Sequence, residues 1–261
     1  MNRVATGLAL LFMIFMAGGS AGAQWLKIPL PGTPRTPDGK PNLTAPAPKM
    51  PDGRPDLSGI WTRNTPGKNY LNNLSVGGAD ISMQPWADAL YKTRQDTLSK
   101  DRPSGVCLPH ALPDAMMVSN FKMVPTASAM LVLYEEFVHF RQIFTDGRGF
   151  PNQANPEERV GTRFGYSIGR WEGDTFVAET IGFNDKSWLD DGGHPHSDAM
   201  HVIERFRRRD FAHMDVDITI DDPKAYTKPF TVNVPFILLP DTEFLEDICD
   251  NERDHPHMVG K

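Results

Sequence analysis

The sequence predicts a mainly β chain, an antiparallel meander that closes into a barrel, with one short helix and a Pro-rich N-terminal arm. Three observations predict it. Met214, Val216, Ile218 and Ile220 alternate with Asp215, Asp217, Thr219 and Asp221, the period-two pattern of a strand with one buried face. Further alternating runs follow at short intervals, parted by turn signals such as Glu172-Gly173-Asp174 and Asp222-Pro223-Lys224. The composition, 22 Gly and 23 Pro among 261 residues with 10% aromatics, suits many short elements joined by turns. Consecutive hairpins most simply remove their two free edges by closing on themselves.

Taken in order, residues 1–23 hold Arg3, an apolar run from Val4 to Ala17 and a small-residue stretch ending Ala21-Gly22-Ala23. That is the anatomy of a signal peptide cleaved before Gln24, and the run falls short of the ~20 apolar residues of a spanning helix. The expectation is an exported protein, periplasmic or secreted, with no stable membrane insertion after cleavage. The even cysteine count then predicts a Cys107–Cys249 disulfide, with two buried free thiols as the alternative. Residues 24–56 read as an extended arm carrying a near-repeat, Pro37-Asp38-Gly39-Lys40-Pro41 and Pro51-Asp52-Gly53-Arg54-Pro55. The barrel is expected over residues 57–252 and a flexible tail over 253–261.

Within the barrel region, Leu57-Ser58-Gly59-Ile60-Trp61 heads a first strand. A helix is predicted from Pro85 to about Lys100, with Trp86, Leu90, Tyr91 and Leu98 on one face. A Pro-broken loop with Cys107 follows, and then one long strand over 132–144, whose odd-numbered parity places Glu135, His139 and Arg141 on one side. Strands at 166–171 and 175–181 flank the Glu172-Gly173-Asp174 turn, and others follow at 200–208, 214–221 and 230–238.

Leu57-Ser58-Gly59-Ile60-Trp61 resembles the Gly-x-Trp opening strand of lipocalin-like (calycin) barrels, and Gly169-Arg170-Trp171-Glu172-Gly173-Asp174-Thr175 is similar to middle strands of that group. From Pro51 to Glu252 the chain also resembles a widespread family of secreted bacterial proteins. The motifs that carry this are Pro55-Asp56-Leu57-Ser58-Gly59-Ile60-Trp61, Phe144-Thr145-Asp146-Gly147-Arg148, the Gly169–Thr175 hairpin and Gly182-Phe183-Asn184-Asp185-Lys186-Ser187-Trp188-Leu189-Asp190. The calycin resemblance implies a cup that holds a small, mostly apolar molecule. Neither resemblance brings a catalytic residue with it.

A net charge of -6 argues against a nucleic-acid partner. Gly77-Gly78 and Gly192-Gly193 lack the frame of a phosphate loop, so no nucleotide cofactor is expected. There is no Gly-x-Ser-x-Gly elbow, and an acyl-enzyme hydrolase has no support at this level. The densest set of titratable groups lies between Gly182 and His201, including Asn184, Trp188, Asp190, His194 and His196. His194 and His196, with His201 as a third ligand, offer imidazoles to a divalent metal, the plainer alternative being a solvated polar loop. A second candidate set is Glu135, His139 and Arg141, running into Asp146 and Arg148, with Glu204 and Arg205 on a later strand. A carboxylate among apolar side chains can act as a general acid or base, while the structural alternative is a Glu-Arg pair closing the barrel.

Two functions follow. One is an exported barrel that binds a small hydrophobic or aromatic molecule through Glu135, His139, Asp146, Arg148, Asn184, Trp188, Asp190 and Arg205, with no cofactor. The other is a lyase, isomerase or hydrolase of the same shape, using Glu204, His194, His196 and Arg141 at the barrel mouth.

Overall fold

The computed structural model describes residues 27–65, 73–151 and 161–249. The expected signal peptide and the expected tail lie outside these residues. Nine strands follow one another round a closed barrel. They are β1 Gly59–Arg63, β2 Phe121–Pro125, β3 Ala129–Tyr134, β4 His139–Phe144, β5 Tyr166–Glu172, β6 Thr175–Ile181, β7 His201–Arg208, β8 His213–Asp221 and β9 Phe230–Leu238. The strand with the clearest alternation, β8, turns Met214, Val216, Ile218 and Ile220 fully inward.

Parity corrects the meander at one place. Strand directions can alternate all the way round only if the ring has an even number of strands, so nine strands require a parallel pair. That pair is β4 with β5, where Ile143 faces Ser167 and Phe144 faces Ile168. The first and last strands close antiparallel, Trp61 opposite Leu238.

Large side chains fill the barrel. Trp61, Phe121, Met123, Phe176, Phe206 and Phe236 are fully buried in one core cluster, each contributing about 1.5–3 kcal/mol by leaving water. Trp61 donates its Nε1–H to the Leu57 carbonyl at 3.0 Å and lies under the Arg208 guanidinium, 5.0 Å from the ring centre. At the seam, Gly169 is a packing requirement: a Cβ there would sit 2.6 Å from Phe176 and 2.8 Å from Ile143.

The single strand expected over 132–144 is instead a hairpin. Phe137 and Val138 take left-handed φ values of 58° and 46° between β3 and β4, which reverses the chain and breaks the parity argument. Glu135 therefore leaves the His139 and Arg141 face and sits in the connection, accepting hydrogen bonds from Asn120 Nδ2 and from the Leu245 N–H at 2.9 Å. Helix α1, Pro85–Asp96, ends short of Lys100, and of the expected inward face only Tyr91 points inward. Trp86 and Leu90 are 45% and 36% exposed and Leu98 is 87% exposed, while Ala87, Tyr91 and Arg94 turn inward at helical spacing. A second, one-turn helix, α2, spans Ala115–Val118.

The arm is part of the fold, and its near-repeat is a repeated structure. The Thr36 N–H donates to the Lys40 carbonyl and the Gly39 N–H to the Thr36 carbonyl, both at 2.9 Å; Met50, Arg54 and Gly53 reproduce these bonds at 2.8 and 2.9 Å. Gly39 and Gly53 supply the positive φ, 81° and 85°, that each turn needs. The arm docks through the Ala45 and Leu43 carbonyls, which accept the N–H groups of Phe211 and Ala212 at 2.7 and 3.0 Å. Cys107 and Cys249 form the expected disulfide, with 5.6 Å between their Cα atoms.

Candidate active site

One end of the barrel carries a short 3-10 turn, helix α1 and the histidine-rich loop after β6. The turn, Leu74–Gly77, is set locally: Asn73 accepts the Ser75 N–H on its side chain at 2.9 Å, and Gly78 ends the turn at φ 79°. Leu74 is buried, whereas Ser75 faces solvent.

The loop is not a solvated one. Residues 187–197 are buried without a break. Helix α1 pins it from above: Arg94 lies 4.1 Å over the Trp188 ring and donates to the Gly193 carbonyl at 2.9 Å, while Gln95 donates to the Gly192 carbonyl. Asp222 holds the far end by accepting the Ser197 N–H and hydroxyl at 2.6 and 2.7 Å.

At the centre of the loop, fully buried Asp190 accepts the Leu74 N–H at 2.7 Å, the His194 N–H at 3.0 Å and a bond from His194 Nδ1 at 2.7 Å. An ionised carboxylate only accepts, so it keeps the imidazole proton on Nδ1 and leaves Nε2 with a lone pair. That lone pair faces Ser75 Oγ at 3.2 Å. Tyr91 stacks on the ring, 4.2 Å between centroids, and its hydroxyl accepts from Asn73 Nδ2 at 3.1 Å. Exposed serine, imidazole and buried carboxylate thus stand in the order used by nucleophilic hydrolases.

His196, two residues on, faces another way. Its Nδ1–H reaches the Ser197 carbonyl at 3.1 Å, its Nε2 accepts the Ser187 hydroxyl at 2.7 Å, and burial lowers its pKa. His201 sits on β7 with Nε2 3.7 Å from Glu179. The expected metal trio of His194, His196 and His201 is therefore corrected: each imidazole is turned to a different neighbour.

The remaining candidates are dispersed. Arg141 and Glu204 form an ion pair inside the barrel at 2.5 Å. His139 is stacked on Tyr134 and near Phe164, centroids 4.9 and 5.0 Å away. Asp146 and Arg148 pair with each other on the surface, with Arg148 4.0 Å over the Phe144 ring. Arg205 pairs with Glu172 at 2.5 Å on the outer surface, and Asn184 shapes its own turn by accepting the Lys186 N–H at 3.1 Å. Of the expected ligand-binding set, Asn184, Trp188 and Asp190 share the histidine loop with His194, and Trp188 and Asp190 alone lie in its buried stretch. A groove of about 270 Å³ opens at the β4/β5 seam, with Phe140, Phe144, Phe164 and Tyr166 as walls and Arg141 and Ser167 beneath.

Comparison with family models, with curated proteins and with solved structures returned no match. Function rests on the chemistry of these side chains.

Sequence reasoning missed Ser75, Tyr91, His110 and Asp114. Ser75 lies in a short turn with no elbow motif around it, and only folding brings it to residue 194. A usable signal existed in the spacing: Asp190 and His194, like His110 and Asp114, are four residues apart, and both pairs are hydrogen-bonded.

Proposed function

We propose that this protein is an exported serine hydrolase of esters, with Ser75 as nucleophile, His194 as general base and then acid, and Asp190 orienting the imidazole. One observation carries the reading: a solvent-facing hydroxyl lies 3.2 Å from an imidazole whose opposite nitrogen is hydrogen-bonded at 2.7 Å to a fully buried carboxylate. Ser75 Oγ attacks the ester carbonyl carbon while His194 Nε2 takes its proton. The imidazolium returns that proton to the departing alkoxide, giving an alcohol and an acyl-serine. Water, deprotonated by His194, then releases the acid and restores the serine. Asp190 holds the imidazole by its Nδ1 and stabilises the imidazolium that forms. Export is supported by the N-terminal sequence and by the Cys107–Cys249 disulfide.

The test is covalent labelling with a fluorophosphonate, read by intact mass and peptide mapping, together with turnover of p-nitrophenyl esters. One label on Ser75, lost in Ser75→Ala and in His194→Ala, is the expected result. An unlabelled native protein, or label spread over other hydroxyls, overturns it.

The seam groove favours a second reading, capture of a small aromatic molecule between Phe140 and Tyr166. Its volume is near the low end for ligand pockets. Broadened or shifted aromatic resonances of a small aromatic acid that vanish in Phe140→Ala, in a protein that takes no Ser75 label, would favour this reading over hydrolysis.

A further inference from the structure

We propose that His110, Asp114 and Asp191 form a binding site for a single divalent transition-metal ion of the zinc class. The ion would clamp the histidine loop to the segment that precedes α2. Its three ligands are not side chains of the serine relay, although Asp190 borders the same cavity.

The first support is geometric. These three side chains come from two distant stretches of chain, all are buried, and each presents a ligand atom within 4.8 Å of the others. A central ion at about 2.0–2.2 Å from each ligand needs only a small inward movement. A cavity of about 10 Å³ lies among them, bordered also by Arg102, Ser187, Trp188 and Asp190, the room of one water-sized particle.

The second support is an orphaned atom. Asp114 is 2% exposed and borders this cavity, yet its Oδ1 has no hydrogen-bond partner among the described residues. Its other oxygen is bonded to His110 Nδ1. A buried carboxylate oxygen left without a donor is costly, and a cation in the cavity would supply the missing partner.

The donor set narrows the ion. One imidazole with two carboxylates suits zinc-class metals, whereas calcium takes six to eight oxygens and has little use for a nitrogen ligand. Position gives the clamp its effect: Asp191 adjoins Asp190, and Cys107 lies three residues before His110 on the same disulfide-tethered segment.

The test uses the full exported chain, stripped with EDTA and titrated with Zn²⁺ by calorimetry, with native mass spectrometry for stoichiometry. One equivalent of Zn²⁺ and an upward shift in Tm are expected for the wild type. Asp114→Asn and Asp191→Asn should each weaken binding by at least about 100-fold, with unchanged near-UV circular dichroism showing that they are folded. Should Asp114→Asn not fold, Asp191→Asn decides alone. No Zn²⁺ bound by the wild type, stoichiometric binding that survives in the folded variants, or preferential uptake of Ca²⁺ would each overturn the assignment. Fluorophosphonate labelling at Ser75 does not enter this test, so the two proposals fail independently.

Discussion

Arg141 and Glu204 meet inside the barrel as a two-pronged ion pair, Nη1 to Oε1 at 3.1 Å and Nη2 to Oε2 at 2.5 Å, with side chains 1% and 0% exposed. The same guanidinium donates to Ser167 Oγ at 3.0 Å and Thr180 Oγ1 at 2.7 Å. One side chain on β4 therefore reaches β5, β6 and β7, and it does so across the parallel seam. Burial would lower the Arg141 pKa, but Glu204 and Tyr134 outweigh it and hold the pKa above its ordinary value.

Removing one partner leaves the other charge stranded. Arg141→Met should cost about 3–5 kcal/mol in urea denaturation. The Arg141→Met, Glu204→Met double variant removes both charges and should be more stable than the single one. Additive losses in the double variant would mean that the two side chains are not energetically coupled.

The disulfide spans 142 positions, for which chain entropy gives about 4–5 kcal/mol. A Cys107→Ser, Cys249→Ser protein should melt well below the oxidised wild type and be insensitive to reductant. Reduced wild type should fall to the same Tm; equal melting of oxidised and reduced wild type would contradict a stabilising bridge.

His196 sets a pH dependence whose sign can be worked out. Burial depresses its folded pKa, opposed by the Ser197 carbonyl and by Asp222 and Asp185, while Arg94 pushes it further down. The unfolded imidazole therefore takes up a proton before the folded one does. Stability from this group is full above about pH 6.5 and falls as the pH drops toward the folded pKa, by up to about 1.4 kcal/mol per pH unit. Subtracting the profile of His196→Gln from that of wild type removes the other titrating groups, His110 and Asp114 among them. The difference in stability should shrink between pH 7 and pH 5, and a flat difference would exclude His196 as the source.

The strands were legible where one face is buried and the other solvated, as in Met214 to Asp221, because alternation records that asymmetry directly. Legibility failed at residues 135–138, where the apolar pattern runs on through a reversal made by left-handed residues 137 and 138. Nothing in Phe-Val announces such a turn. It failed in part on α1: Tyr91 lies inward as expected, but beside Ala87 and Arg94 rather than Trp86 and Leu90, because that helix covers a polar loop rather than an apolar sheet. The sequence names the histidine loop together with Asp190 and His194, whereas Ser75 escapes it, because a tertiary hydrogen bond rather than a fixed spacing brings that hydroxyl to His194.

An odd number of strands gives this barrel a preferred place to come apart. Taken from β5 through β9 and on through β1 to β4, the wall is a continuous antiparallel ribbon; it becomes a tube only where Ile143 and Phe144 meet Ser167 and Ile168. With two residue pairs at this seam against three on either side of β1, local opening is expected to cost least here, as at the clasp of a bracelet. The clasp lies over the charge pair of Arg141 and Glu204, so such an opening would admit solvent first to the most polar part of the interior.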